Sequence, residues 1–265
     1  MSDQKNVFTE MSDVDFSKDI HQKVGESYYN PKEFRALVEA RRSVRKFTNE
    51  KIPAAVVEDC LELALLAPNS SNLQTWEFFR VKNIDIKNEI AFACFSQSAA
   101  TTAAELIICV ARLDNWHDHS KQMLEEFKKL PLPTPKVALT YYSKLVPFVY
   151  TVGWFNILTP FKWLFNSIVG LFKVVPRDPI SSFGLKTWAS KSCALACENL
   201  MLAFRAHGYD TCPMEGFDSH KVKKAIGLKG NCDIVMIIGA GKRADGGIYG
   251  PRLRFPKEQF IKTIF

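Results

Sequence analysis

The sequence has no apolar run long enough to cross a membrane. Its longest uncharged stretch, Leu145 to Phe161, is interrupted by Pro147, Gly153, Asn156 and Pro160, and falls short of the ~20 apolar residues a spanning helix needs. It contains no Cys-x-x-Cys pair. The seven cysteines (Cys60, Cys94, Cys109, Cys193, Cys197, Cys212 and Cys232) are odd in number and scattered, which argues against a disulfide framework and for buried free thiols in a reducing compartment. There is no Gly-x-Ser-x-Gly elbow and no evident Cys–His pair, so a hydrolase built on an activated side-chain nucleophile is not expected. The first twenty residues lack an apolar run and carry Asp3, Glu10, Asp13, Asp15 and Asp19. That is unlike a secretory signal and too acidic for a transit peptide; a cytoplasmic location is expected, with residues 1–30 as an arm that frays or docks on a partner subunit.

What is present is ordinary for a folded protein: 47% apolar and 24% charged residues over 265 positions, enough chain for a full core. The net charge of +7 is mild. A nucleic-acid binder should show a basic stripe or a known module; neither is found, and no nucleic-acid partner is expected. Lys221, Lys223 and Lys224 fit the solvated face of a short helix.

Asn30-Pro31-Lys32-Glu33 is a helix start, with Asn as cap, Pro in the first turn and Glu behind it, and the helix should run to about Arg42. A second opens at Pro53, carries Val56, Val57, Cys60, Leu61, Ala64 and Leu65 at helical spacing, and stops near Pro68. Trp76 to Val81 and Leu106 to Ala111 are expected strands, with a helix between them around Asp85 to Phe95. The longest helix should span Leu185 to His207 and end at Gly208. A short strand at Tyr209 to Cys212, a helix capped by Asp218 and ended by Gly227, and a buried strand at Asp233 to Ile238 complete the pattern. Without regular β-α-β alternation the class is α+β.

Two motifs mislead. Gly239-Ala-Gly241-Lys-Arg-Ala244 follows a strand, but Asp245, Gly246, Gly247 and Pro251 come where a dinucleotide fold needs a helix. His117-x-His119, near Asp114 and Asp118, has metal-ligand character but is better explained as a polar helix start, and no metal site is expected.

Residues 131–175 contain no Asp or Glu, four lysines (Lys136, Lys144, Lys162 and Lys173) and many large apolar side chains, including Phe148, Trp154, Phe155, Phe161, Trp163, Phe165 and Phe172. The favoured expectation is an inserted helical pair at about 131–180 that covers a site mouth or extends a dimer interface. Peripheral membrane contact through 140–175 is the less favoured alternative.

Arg41-Arg42-Ser43-Val44-Arg45-Lys46-Phe47 sets three guanidiniums and a hydroxyl within five residues at a helix end. Such forked, permanently charged donors suit a phosphate. Ala67-Pro68-Asn69-Ser70-Ser71-Asn72-Leu73-Gln74-Thr75-Trp76 follows between a helix and a strand, with short donors and acceptors suited to a heteroaromatic rim. In this order and spacing the two segments resemble the opening of the nitroreductase family of flavoproteins. The long helix, then Pro213-Met214-Glu215-Gly216-Phe217, and Pro251-Arg252-Leu253-Arg254 near the end, are similar to later family segments. The resemblance covers roughly residues 32–112 and 183–265. The sequence departs from it with Thr75 where many relatives have Pro, Asn69 where Ser is common, and the 131–180 insertion.

The resemblance implies a three-layer sandwich with a central, mostly antiparallel sheet flanked by helices, forming an intertwined homodimer, with residues 31–265 as one FMN-binding domain. It implies that Arg41, Arg42, Ser43 and Arg45 hold the phosphate and pyrimidine edge of FMN. Pro68, Asn69, Ser70 and Asn72 would reach the same flavin from the other subunit, and Gln97 would lie near the ring. Pro213, Met214, Glu215 and Gly216 would line one ring face, with a backbone N–H of Glu215 or Gly216 toward flavin N5. Arg252 and Arg254 would close on the phosphate, with Lys242 and Arg243 as rivals. The implied activity is hydride transfer from NADH or NADPH through the flavin to an electron-poor acceptor, a nitroaromatic or quinone, by ping-pong turnover and without a catalytic side chain. Reductive dehalogenation or flavin modification on the same scaffold, or a flavin-binding or membrane-surface protein without turnover, are the alternatives. Phe255, Phe260, Ile261, Ile264 and Phe265 give the tail an apolar face suited to a partner subunit.

Overall fold

The computed structural model describes residues 30–130, 136–153 and 157–265. All of the expected arm except Asn30 lies outside these residues, as do Trp154 and Phe155. Helices α1 (Pro31–Ala40) and α2 (Ala54–Leu65) precede strand β1 (Trp76–Val81), followed by α3 (Ile84–Ala93), a single turn α4 (Ser98–Thr101), and β2 (Glu105–Arg112). Helix α5 (Trp116–Lys129), α6 (Lys136–Thr140), a π-helical turn (Tyr141–Leu145), α7 (Val146–Tyr150) and α8 (Thr159–Val169) lead to α9 (Ser182–Ala206), β3 (Asp210–Met214), α10 (Ser219–Ala225) and β4 (Cys232–Gly241).

The termini of these elements follow their caps. Asn30 accepts from Lys32 N at the start of α1, Ser181 from Gly184 N at α9, and Asp218 from His220 N and Lys221 N at α10, each satisfying helix-end donors that would otherwise be orphaned. Gly208 closes α9 at φ +80°, with Tyr209 N donating to Phe204 O at 2.9 Å, a left-handed stop that glycine adopts without strain. Helix α1 stops at Ala40 rather than Arg42, because the chain from Arg41 turns extended to pair with the sheet. Strand β3 continues past Cys212 through Pro213, which pairs with Ile238; a proline is tolerated there because β3 is an edge strand. The π turn precedes Pro147, whose missing N–H cannot serve the Ser143 carbonyl as an α-helix would require.

The sheet order is β1-β2-β4-β3, and each adjacent pair is antiparallel. Alternation along β2 builds two cores at once. Ile107, Cys109 and Ala111 face a cluster with Trp188, Cys193, Cys197 and Phe204 of α9, whereas Leu106, Ile108 and Val110 face one with Ile90 and Ala91 of α3 and Val222 of α10. A strand buried on both faces needs a layer of helices on each. The result is the α+β sandwich expected.

All seven cysteines are buried free thiols. Burial pushes Cys60 up to about 12, with Asp59 adding to it, and Cys94 up to about 11, from an ordinary 9.0. A group held neutral in the fold but free to ionise when unfolded stabilises the fold below its unfolded value, and that stability is lost as pH rises toward the folded one. Unfolding midpoints should therefore hold steady up to about pH 9 and fall progressively toward pH 12, while the native protein at pH 8 shows no fast phase with a thiol-reactive disulfide. A rapid stoichiometric reaction would contradict this burial.

Candidate functional site

The segment after α1 is fixed by the sheet. Val44 N donates to Thr211 O at 3.0 Å and Thr48 N to Lys242 O at 2.8 Å, while Arg45 N donates to Gly247 O at 2.7 Å. Val44 and Phe47 are buried in the α3-side core. Anchoring those two leaves Arg42, Ser43 and Arg45 at the surface of the edge, as partly or fully exposed side chains.

Opposite them runs the chain from Ile248 to Arg254, and between the two lies a cavity of about 260 Å³. It is lined by Arg41, Arg42, Ser43, Arg45, Arg252 and Arg254, with Tyr249, Gly250 and Pro251 closing one side and no carboxylate in the lining. Arg42 Nη2 donates to Gly250 O at 2.6 Å, Arg252 Nη2 to Glu39 O at 2.9 Å and to Arg41 O, and Arg254 Nη1 to Leu253 O at 2.7 Å. The Arg45 guanidinium lies 5.2 Å from the Tyr249 ring centroid, within cation–π range. Only Arg41 meets a carboxylate, Glu198 at 3.4 Å; among the described residues the other four arginines have no ion-pair partner. Burial raises the pKa of the Cys212 thiol, and the nearby Arg45 charge opposes part of that rise.

The remaining candidates fall in three other places. Gln97 Nε2 donates to Gly216 O at 3.0 Å, so these two are brought together beside the end of β3. Glu215 and Gly216 are exposed and Pro213 partly so, whereas the Met214 side chain is in the core. Lys242 and Arg243 are turned elsewhere: Lys242 lies over the Tyr209 ring, and Arg243 makes two hydrogen bonds to Asp210 at 3.1 and 3.0 Å. Pro68, Asn69, Ser70 and Asn72 do not line the basic cavity. Asn69 is occupied within its own loop, where its Oδ1 accepts from Gln74 N at 2.8 Å and its Nδ2 donates to Asn72 Oδ1 at 3.3 Å. His119 Nδ1 donates to Leu73 O at 2.6 Å, which gives the histidine pair's second member a structural task on the start of α5.

That loop is tied instead to the aromatic segment after α6. Ser71 Oγ lies 2.7 Å from Tyr141 OH and 3.1 Å from Tyr150 OH, and Tyr142 OH donates to Ser71 O at 3.0 Å. Ser71 sits at φ +56°, a left-handed conformation uncommon for serine, and the three hydroxyls hold it there. Burial pushes Tyr142 up to about 12, with Tyr141 and Tyr150 adding to it, so it stays a neutral donor. These tyrosines, Tyr249 and the Asp210 bridge were not singled out from sequence. The tyrosines fall in a segment noticed only for its phenylalanines and tryptophans, and Asp210 gives no local signal because its partners are distant in the chain.

Fold and cavity together define an α+β sandwich with an arginine-lined cavity beside the edge of its sheet. The sequence model described as the Nitroreductase family matches residues 38–151 and 174–242. YdgI of Bacillus subtilis, described as a candidate NAD(P)H nitroreductase, is 30% identical over 231 residues, 83% of this chain and 93% of that protein. DrgA of Synechocystis is 28% identical over 206 residues, 77% and 81% respectively. The chain belongs to the nitroreductase family. Among solved structures, a candidate nitroreductase of Exiguobacterium sibiricum in complex with FMN is 26% identical, covers 87% of this chain and 97% of its own, and superposes with a TM-score of 0.63. YdfN of Bacillus subtilis shares the fold at a TM-score of 0.69 and 23% identity, over 89% of this chain and 100% of its own.

Asp210 is almost wholly buried and bridges Arg243 and Arg205, the latter at 2.7 Å. Asp210→Asn removes the charge both arginines face, and should destabilise the fold by about 2 kcal/mol in a denaturant titration. An unchanged midpoint would mean that the bridge contributes nothing.

Proposed function

We propose that this protein is an FMN-dependent oxidoreductase, working as a homodimer and using NADH or NADPH to reduce an electron-poor small molecule such as a nitroarene or a quinone. The observation that carries the reading is the basic cavity: five arginines and a serine facing a space with no carboxylate. A cluster of guanidiniums left unneutralised repels itself, and a phosphate dianion with its forked acceptors relieves that repulsion while meeting several donors. The cavity, at about 260 Å³, suits the phosphate and sugar-chain end of a flavin rather than the whole molecule, which agrees with a site completed by a second subunit.

When bound, FMN would supply reversible two-electron transfer between the nicotinamide and the acceptor. The chain's own residues have simpler tasks. Arg42, Ser43, Arg252 and Arg254, which line the cavity, would bind the phosphate. Arg41, braced by Glu198, and Arg45, over the Tyr249 ring, would supply the positive charge that favours a reduced, anionic flavin. Gln97 pins the segment just beyond the last paired residue of β3 through the Gly216 carbonyl, and a peptide N–H of Glu215 or Gly216 in that segment would be the donor to the ring edge. No side chain is asked to act as nucleophile or general acid.

Two further features support a dimer. The tail residues Phe255, Phe260, Ile261, Ile264 and Phe265 are all exposed on the single chain, a costly arrangement unless a partner covers them. The Pro68–Asn72 loop does not line this chain's basic cavity and in a dimer would reach the partner's. Residues 131–180 form an insertion in this reading. The Ser71–Tyr141–Tyr150 network then links it to the flavin loop, so that it bears on acceptor access.

Arg252→Ala and Arg254→Ala should each weaken FMN binding by about tenfold, the loss of one charge-assisted contact, measured by quenching of flavin fluorescence. Anaerobic addition of NADH or NADPH should bleach the bound flavin absorption, and a quinone should restore it, with initial-rate plots forming parallel lines. A protein that cannot be loaded with FMN, or whose flavin the nicotinamides leave oxidised, would overturn the proposal.

A further inference from the structure

Helix α8 is packed inside out. Thr159, Lys162 and Asn166, spaced three and four apart and therefore on one face, turn toward the protein. Thr159 Oγ1 donates to Ile180 O at 2.7 Å, Lys162 Nζ to Val149 O at 2.9 Å, and Asn166 Nδ2 to Pro176 O at 2.8 Å. Burial lowers the Lys162 pKa. The opposite face, Phe161, Leu164, Phe165 and Ile168, is at least half exposed, and the turn that follows adds Leu171, Phe172 and Val174 at 78%, 83% and 104% exposure. In water a surface helix does the reverse, burying its apolar stripe and solvating its polar one. An apolar surface of this extent marks an interaction site.

The charges around the face identify its partner. No Asp or Glu occurs from 131 to 175. Lys173 stands between Phe172 and Val174, and the Arg177 guanidinium lies against Gly170 at the C-terminal end of α8. Asp178, the first carboxylate after the stretch, lines the cavity beside Tyr150. A second copy docking symmetrically would set this cationic, apolar patch against itself. An anionic bilayer surface offers both complements, an acyl boundary for the rings and phosphate headgroups for the cations. Among the described residues no helix is long and apolar enough to cross a membrane, and a face of this kind needs only to lie on one.

We propose that the outward face of α8 and the Leu171–Val174 turn dock the protein on an anionic lipid surface. Phe161, Leu164, Phe165, Ile168 and Phe172 enter the headgroup boundary, and Lys173 and Arg177 contact lipid phosphates. The sequence favoured a lid or dimer contact for this segment; the outward turn of its apolar stripe shifts the balance. The proposal is independent of the flavin assignment.

The test is sedimentation of the full chain with vesicles of phosphatidylcholine alone and of phosphatidylcholine mixed with phosphatidylserine. The protein should pellet with the mixed vesicles, much less with the neutral ones, and be released by salt. Phe161→Ser combined with Phe172→Ser should weaken binding about tenfold for each ring removed, and Lys173→Glu should weaken it for mixed vesicles only. In the unsubstituted protein, brominated lipid should quench tryptophan emission, and Trp163→Phe should remove most of that quenching. The proposal is overturned if the chain stays in the supernatant with both vesicle types. It is equally overturned if the double variant pellets like the parent, or if the double variant changes the mass of the assembly while neither protein binds vesicles, which would give the face to a second copy.

Discussion

The pairing of the Arg41–Phe47 segment with the edge of the sheet determines where the charge of this molecule is concentrated. Val44 and Phe47 are held in the core, and Ser43 is bridged to Thr211, so the side chains between them have only one direction in which to go. The returning C-terminal segment brings Arg252 and Arg254 against the same space. Like charges gathered at close range cost free energy that water only partly screens. Apart from the Arg41–Glu198 pair, the molecule offsets that cost with main-chain carbonyls of Glu39, Gly250 and Leu253. Carbonyls orient the guanidiniums without neutralising them, which is the condition for receiving an anion.

Two arginines that look alike in sequence are separated by this principle. Arg243 stands beside the same sheet edge, yet its fork is filled by the buried carboxylate of Asp210, which also holds Arg205. It stabilises the junction of β3 and β4. Arg254 lines the cavity with no carboxylate partner among the described residues, so its charge stays unneutralised. The segment from α6 to α8 repeats the theme with hydroxyls and rings: Tyr141, Tyr142 and Tyr150 are turned inward to brace Ser71, while Phe148, Phe161 and Phe165 are turned outward.

Much of this was legible beforehand because it rests on local signals. Caps at Asn30 and Asp218, stops at Gly208 and Gly227, alternation in β1 and the continuous apolar run of β2 each depend on a few adjacent residues, and so did the recognition of the arginine and Pro-Met-Glu-Gly segments. What was not legible depends on contacts distant in the chain. The release of Arg41 from helix α1 is decided by Thr211, and the hydroxyl link between Ser71 and Tyr150 spans separate elements. The direction of α8 was hidden for another reason. Composition gives an apolar content but not which side of the helix faces out, and here the polar residues claim the inside by reaching the carbonyls of Val149, Pro176 and Ile180.

The central claim is that the arginine cavity is a phosphate cradle for a flavin, and the most direct measurement is a side-by-side titration of the flavin-free protein with FMN and with riboflavin, which differ only by the phosphate. If the cradle holds that group, FMN binds at least about a hundredfold more tightly, as expected for two or more charge-assisted contacts, and added salt narrows the gap. Equal affinity for the two flavins would contradict the account and remove the cavity from the binding site.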